Sequence, residues 1–499
     1  MKKTEIIILA CIIAAAFVMR VYDSNLAVFD RETTIPLQAD IGMLESGKPI
    51  LAGFGGTLGN EITLGPAAYY LLLIPVAISH SVLVSTFFVA LLNVLAVILC
   101  YFFVKRIWGA NAAIASAALF ATAPWAIFYS RFIWNTNFIP LFAILFFYGF
   151  YMTLQKDSRG IVISMAAFAV MIQLHLSALL SGVFLIWSLY THFKSAEKGT
   201  KQILAGLIIA ALVLSPAIYL NVKNDFSNAA NVLGHTNQPK NPDIFTAVSE
   251  SAGIPVLMAT GYYGKYILGN LALPPWMNYA EMIFAGIVIA LMSLGFLNIA
   301  KKFRKPQNAM LSAWLIIPVL FFIFKNQNVS PHYFLIIFPA QFIVLGILFA
   351  KFMKSEKFKA AAIAVLVLIL AANITSFSYA LHLVKENNGT NGAWGVTYQN
   401  KLDVVDFVIS DAETKPIDIV FYRTDGLDYK YLFEYRKADI NYEVVNSLEE
   451  LESKNGAYLI MDSYSATVGL NVAKLSDAEK DHLQGLNSRT IGNIKIAKI

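Results

Sequence analysis

Apolar residues in this chain fall in long unbroken blocks, not in the alternating or one-sided stripes of a half-buried surface. The blocks run roughly over residues 5–22, 83–104, 111–129, 138–155, 160–174, 176–192, 202–220, 280–299, 309–324, 334–350 and 360–381. Most match the roughly 17–25 residues that a helix needs to cross a ~30 Å hydrocarbon core. The pattern therefore predicts an all-α polytopic membrane protein with about eleven transmembrane helices. Two stretches need a decision. Residues 160–192 are apolar almost throughout, and one helix of that length would overrun the bilayer. A short hairpin turning at Gln173-Leu174-His175 resolves the excess. Residues 64–80 (LGPAAYYLLLIPVAISH) are also apolar, yet counting them as a span would put Lys105-Arg106 on the outer side. Their Gly65-Pro66 start and Tyr69-Tyr70 pair suit a helix lying in the outer interface, where aromatic side chains gather.

After residue 381 the period changes. Short strand-like runs, Asp418–Tyr422, Tyr458–Met461 and Ile494–Ile499, alternate with acidic helix-like stretches such as Ser447–Leu451. This predicts a small α/β domain over residues 382–499. It follows a transmembrane domain over 1–381 whose first outer loop is 23–82.

Composition narrows the class. Of 499 residues, 57% are hydrophobic and only 14% are charged. A soluble domain carries about 25% charged residues, so this chain has too few to clothe a water-facing surface. The net charge of +6 comes from connecting loops. Lys2-Lys3, Lys105-Arg106, Lys156 with Arg159, Lys194 with Lys198 and Lys201, Lys301 to Lys305, and Lys351 to Lys359 fall in every second connection. The positive-inside rule puts that set and the N-terminus in the cytoplasm, and an odd number of spans puts the C-terminal domain outside. Met1-Lys2-Lys3 looks like the start of a secretory signal, but the apolar run continues to Met19 and a multi-span body follows, which favours an uncleaved first span. No basic groove with interleaved aromatics is visible, so nucleic acid is not an expected partner. Cys11 and Cys100 both sit inside apolar blocks, which removes structural disulfides and cysteine metal sites.

Candidate chemistry gathers at the outer ends of the blocks. The first outer loop carries Asp23, Asp30, Glu32, Asp40, Glu45 and Glu61. Leu37, Ile41 and Leu44 follow helical spacing, which leaves Asp40 on the polar side of a short helix. Asp30 stands about one turn beyond the first span, between Phe29 and Arg31, where partial desolvation would suit a general base. Arg131 lies in APWAIFYSRFIWNTNFIP (123–140), an apolar setting in which it needs a carboxylate or a bound anion as partner. Asn135 and Asn137 suit helix caps or sugar-hydroxyl ligands. His175 marks the hairpin tip, and Lys325, His332 and Tyr333 mark the outer ends of two neighbouring spans, where a lipid phosphate would sit. Each of these also has a plain structural reading. Nucleotide-binding loops, HExxH helices and GxSxG elbows are missing, so an enzyme here would take an activated lipid as its donor.

In this order, several stretches resemble the GT-C glycosyltransferase superfamily, on the branch of protein O-mannosyltransferases and bacterial aminoarabinose transferases. They are Asp30-Arg31-Glu32 after the first span, Met43-Leu44-Glu45-Ser46-Gly47, Gly65-Pro66-Ala67-Ala68-Tyr69-Tyr70, Ala123-Pro124 with Tyr129-Ser130-Arg131, and the run from His332-Tyr333 to Pro339. Together they cover about residues 1–350. The resemblance implies a GT-C-like helical fold and a polyprenyl-phosphate sugar as donor. It implies transfer outside the cytoplasm, with inversion, to a protein, glycan or glycolipid acceptor. It also implies that a first-loop acid activates the acceptor hydroxyl or stabilises the oxocarbenium-like centre, with Asp30 the candidate base and Glu32 its understudy. The family's adjacent acidic pair is spread here over Asp30-Arg31-Glu32: the Phe29-Asp30 context points to Asp30, and counting back from Gly47 points to Glu32. Substrate contacts would come from Glu61, Tyr69, Arg131, Asn135, Asn137, His175, Lys325, His332 and Tyr333. Two positions depart from the family: His332 replaces an arginine, and Asn135 or Asn137 stands where relatives have an acid. The WWDxG signature of oligosaccharyltransferases is missing, which argues against transfer to asparagine sequons and against an obligatory divalent metal. No other cofactor is implied.

Two rival readings are a glycolipid flippase or transporter, and a non-catalytic membrane scaffold working through its tail. Transporters favour repeated halves and broken spans with polar residues at the midplane. Here the polar residues gather at outer ends and no repeat is visible, which favours the enzyme.

Overall fold

The computed structural model describes residues 2–56, 59–194, 200–236, 243–261, 264–269, 271, 274–326, 328–462 and 476–499. The chain begins with helices α1 (Lys3–Val21) and α2 (Arg31–Ser46), a two-stranded hairpin of β1 (Gly55–Gly56) and β2 (Gly59–Thr63), and α3 (Ala67–Ile78). The helical body continues through α4 (Val82–Trp108), α5 (Ala110–Thr122), α6 (Pro124–Phe128), α7 (Ile139–Leu154), α8 (Arg159–Leu174), α9 (Gly182–Lys194) and α10 (Thr200–Lys223). It closes with α11 (Ser227–Thr236), α12 (Ile244–Thr260), α13 (Pro275–Ala300), α14 (Pro306–Lys325), α15 (Phe338–Met353) and α16 (Glu356–Glu386).

Eight stretches among the described residues are long and apolar enough to cross a membrane: α1, α4, α10, α13, α14, α16, and α7 and α9 with the 3-10 turns that precede them. The other three expected spans are the shorter apolar helices α5, α8 and α15. These are buried along most of their length and packed among longer neighbours, so protein and not lipid surrounds them. Close approach sets the packing. Where α7 meets α8, a Cβ on Gly160 would lie 2.2 Å from the Gly149 carbonyl oxygen. Where α15 meets α5, a Cβ on Gly346 would lie 2.7 Å from the Ala112 carbonyl oxygen. Small residues allow such contact between apolar helices, which in lipid associate through packing. α12 has no counterpart among the expected spans. Serine and glutamate interrupt its apolar run, and it packs against α13, α14 and α15.

The apolar stretch 160–192 breaks at His175, which is extended (φ −163°, ψ 144°) between α8 and a 3-10 turn, Leu176–Ser181. α3 is roughly 18 Å long, too short to span the bilayer. It buries Ala68, Leu72 and Val76 on one face and packs against α2, α4 and α8. α2 corrects the expectation for Asp40. Its buried face is Thr33, Thr34, Leu37 and Asp40, while Leu44 is 43% exposed. One turn beyond Leu37, Asp40 shares the face that meets α3, and the helix rotates away from its apolar stripe to let that happen.

α16 is roughly 46 Å long, more than a bilayer core needs, and its end carries the chain to the face of the bundle where α2 lies. There α17 (Tyr398–Asp411) leads into a five-stranded sheet of order β4-β3-β5-β7-β6, where β3 is Ile417–Tyr422, β4 Ile440–Val445, β5 Tyr458–Asp462, β6 Ser488–Ile491 and β7 Ile494–Lys498. β3 pairs parallel with β4 and β5, and the β5-β7-β6 side is antiparallel. Between them run α18 (Leu427–Tyr435), α19 (Leu448–Glu452) and α20 (Asp477–Gly485). β3, β5 and β7 are the three expected strands. β4 and β6 are edge strands whose outward polar residues hide the strand pattern.

Candidate active site

α1 ends under two buried arginines. Arg20 donates through Nη1 to the carbonyls of Ala16 (3.0 Å) and Ala121 (2.9 Å). Arg131 donates to the carbonyls of Met19 (3.1 Å), Arg20 (3.3 Å) and Asp23 (2.9 Å). Both therefore satisfy backbone carbonyls, Arg131 those that end α1. They hold the turn through which the chain passes to α2. Asp30 then caps α2, its Oδ1 accepting the Thr33 N–H at 3.0 Å. This puts Glu32 in the first turn, where the helix dipole favours a carboxylate.

Asp30 and Glu32 line one cavity of about 550 Å³. Its walls are aromatic, with Phe29, Phe128, Tyr129, Phe132, Trp134, Tyr266 and Trp394 among them. Trp134, a donor only, hydrogen-bonds to Glu32. Burial, and then the neighbouring Asp30 carboxylate, push Glu32 up to about 7. A carboxylate with that value is a competent base near neutral pH. His332 also lines the cavity, with its ring centroid 4.6 Å from that of Trp134. Among the described residues, its buried Nε2 has no hydrogen-bond partner. Burial, then the neighbouring His175, lowers the His332 pKa, so the ring offers a hydrogen bond and not a fixed charge.

The tail completes the site. Residues 391–396 and Lys401 line the same cavity. Trp394 Nε1 donates to the Leu26 carbonyl at 2.8 Å, the Tyr398 N–H donates to the Ala27 carbonyl at 3.0 Å, and Val28 bridges to Thr397. Phe29 meets Tyr398 edge to face at 5.5 Å, and Arg31 Nε lies 2.6 Å from Asp425 Oδ2. Lys401 is wholly buried between Asp428 and Asp462, the latter at 3.2 Å. Burial alone would lower its pKa, but Asp428, Asp462 and Asp30 together raise it above the ordinary lysine value. The charge on the tail is thus tied to the first-loop acids.

The remaining nominated residues stand apart from the cavity wall. Asn135 donates to the Leu174 carbonyl at 2.6 Å, and Asn137 to the Phe132 carbonyl at 2.9 Å, so both brace the loop that carries Trp134. His175 accepts the Ser177 N–H at 3.1 Å and packs on His332 (ring centroids 5.2 Å apart) and Tyr333 (5.0 Å), a layer behind the wall. Tyr69 is buried on α3, where Asp40 acts on it, behind α2. Lys325 is half-buried as the last residue of α14. The side chain of Glu61, on β2, lies outside the described residues. Among the described residues, no three His, Cys, Asp or Glu side chains gather as metal ligands. Trp134, Tyr129, Trp394 and Lys401 also line the cavity, beyond the residues expected from the sequence. The crowding of aromatics over 125–134 was a usable signal for the first two. For Trp394 and Lys401 there was none, because nothing local shows that the tail folds back onto the first loop.

The model of the dolichyl-phosphate-mannose-protein mannosyltransferase family matches residues 64–220, from just before α3 to near the end of α10. Asp30 and Glu32 lie outside that match. The whole fold is similar to ArnT from Cupriavidus metallidurans in its crystal structure bound to undecaprenyl phosphate, with a TM-score of 0.60 at 13% identity over 99% of this chain and 97% of that one. The chain has the GT-C fold. The apo state of the same ArnT gives a TM-score of 0.61 at 14% identity with equal coverage. The apo oligosaccharyltransferase of Archaeoglobus fulgidus gives 0.53 at 12% identity, over 91% of this chain and 66% of that one. No curated protein matches the sequence. In this GT-C chain the likeness to ArnT extends over the tail, which carried no resemblance at the level of sequence motifs.

Proposed function

We propose that the protein is a membrane glycosyltransferase that moves a sugar from a polyprenyl-phosphate donor to a hydroxyl of a protein, glycan or lipid acceptor. Transfer takes place on the extracytoplasmic side and inverts the anomeric centre. The observation that carries the proposal is the pair Asp30 and Glu32 in an aromatic-lined cavity, with Glu32 titrating near neutrality. Glu32 takes the proton of the acceptor hydroxyl while that oxygen bonds to the anomeric carbon. The bond from the same carbon to the phosphate oxygen breaks, and the lipid phosphate leaves with the electron pair. Attack from the face opposite the leaving group gives inversion. The Asp30 carboxylate stabilises the positive charge that builds on the sugar ring. Tyr129, Trp134 and Trp394 offer flat apolar faces to the ring carbons.

The donor class rests on the shared fold, since ArnT from Cupriavidus metallidurans binds undecaprenyl phosphate. Sidedness rests on charge. Lys105 pairs with Glu5 at 2.8 Å, at the end of α1 opposite the cavity, so the basic connections and the acids occupy opposite ends of the bundle. The positive-inside rule makes the basic end cytoplasmic.

The test is sugar transfer by purified protein in lipid, with a panel of polyprenyl-phosphate sugars and mass spectrometry of acceptor and released lipid. Glu32→Gln is expected to lower turnover by roughly 10²–10⁴-fold while donor binding survives. If Glu32→Gln and Asp30→Asn both keep wild-type rates, the first loop is not the catalytic centre, and movement of the same lipids across the membrane becomes the reading.

A further inference from the structure

A second concavity lies at the other end of the bundle and plays no part in the proposed transfer. It is about 370 Å³ in volume, within the range of roughly 300–1,000 Å³ usual for small-ligand pockets. Lys302 and Lys305 reach it from the turn between α13 and α14, and Lys351 and Lys354 from the end of α15. Trp108, at the end of α4, closes one side and donates to Asn308 Oδ1 at 3.4 Å. Asn308 in turn donates to the Lys302 carbonyl at 3.3 Å, which fixes the turn that carries the first two lysines. Among the described residues, no carboxylate lines the cup.

Some basic residues at this end have counter-ions, and the four cup lysines have none among the described residues. Lys105 pairs with Glu5, and Lys359 with Glu356. Among the described residues, none of the four cup lysines makes an ion pair, and Lys351 reaches only the neutral Asn298 Oδ1, at 2.8 Å. Orientation by the positive-inside rule requires charge on this side, but it does not require the charges to converge on one hollow. Four like charges around a shared cavity repel one another, and a bound anion relieves that repulsion. The floor is apolar, with Ile107, Ile299 and Ile347. Beside it α13 exposes Leu294 and Leu297, 51% and 53% accessible, on a surface that faces lipid in a spanning helix.

We infer that this cup binds the phosphate of an anionic membrane phospholipid, with the headgroup among Lys302, Lys305, Lys351 and Lys354 and the acyl chains along α13. The chemistry recognised is a phosphate ester. The apolar floor and flank select the lipid over a free phosphate, because only the lipid supplies chains to cover them. The site is separate from the acid-lined cavity and does not depend on the activity proposed for it.

The test compares lipid retention and thermal stability of the full-length protein in nanodiscs of phosphatidylglycerol and of phosphatidylcholine, with native mass spectrometry counting retained lipids. The wild type is expected to retain phosphatidylglycerol selectively and to melt higher in it. Lys302→Gln/Lys305→Gln and Lys351→Gln/Lys354→Gln are each expected to weaken that retention roughly tenfold or more. Lys357→Gln/Lys359→Gln, which removes as much charge nearby but outside the cup, is expected to leave it unchanged. Equal retention of the two lipids by the wild type overturns the inference, as does equal loss in the Lys357/Lys359 variant. Inorganic phosphate that displaces the lipid or stabilises the protein to the same extent would show a small-anion site, and the lipid assignment would fail.

Discussion

The two ends of the helical body treat charge in opposite ways. At one end Asp30 and Glu32 are half-buried beneath a tail that supplies a wholly buried lysine, Lys401, itself held by two further carboxylates. At the other, four exposed lysines share a hollow that contains no acid among the described residues. Burial is what separates them. A desolvated carboxylate changes its proton affinity and becomes reactive, while a solvated ammonium keeps its charge and attracts an anion. The difference teaches that the tail helps to enclose the acids: residues 391–396 and Lys401 form part of the wall of their cavity.

The largest effect expected from breaking this contrast is on Glu32. A base must be ionised to act, so kcat/KM should rise with pH through about 7 and then level off. Glu32→Gln should remove both the rate and that rising limb. Next comes Lys401→Met, which leaves Asp428 and Asp462 facing each other without a cation. A loss of about 3–5 kcal/mol is expected at neutral pH, read as a lowered unfolding temperature of the tail.

Asp40 sharpens the contrast within α2. Like Glu32 it is raised by burial, to about 8, but among the described residues its oxygens have no hydrogen-bond partner and it does not line the cavity. Its folded value lies above the unfolded value of about 3.9, so its contribution to stability is full below pH ~4 and is lost as the pH rises through the folded value. Asp40→Asn should therefore match the wild type at pH 4 and unfold at a higher temperature at pH 9. If Asp40→Asn also abolished transfer with the fold intact, the division between an active and a merely buried acid would fail. The smallest effect belongs to Arg31 and Asp425. Their ion pair is about a third exposed on each side, so a double-mutant cycle should return less than about 1 kcal/mol and shrink further in salt.

Much of the helical body was legible because crossing lipid demands long apolar runs, and such runs survive in sequence whatever their partners. The break at His175 and the short α3 could be read for the same reason. α5, α8 and α15 are apolar runs too, but only the packing shows that their neighbours enclose them. In the site, Asp30 and Glu32 were legible because they follow the first span directly. Arg131 was legible only as a buried charge in need of a partner. That its partners are the carbonyls ending α1 depends on how α1 and the 123–134 segment pack. Asp40 was misread because helical spacing identifies an apolar face but not which neighbour turns the helix.

By itself, then, the sequence determined the membrane-spanning class, the alternation of basic and sparse connections, and the acidic turn after α1, since each is a property of contiguous residues. Only the tertiary structure decided that Glu32 and not Asp40 opens on the cavity. It also decided that Trp394 and Lys401 join Asp30, and that four lysines from separate connections meet in one cup. Proton affinity and ligand recognition depend on distance and desolvation, and those arise between residues far apart in the chain.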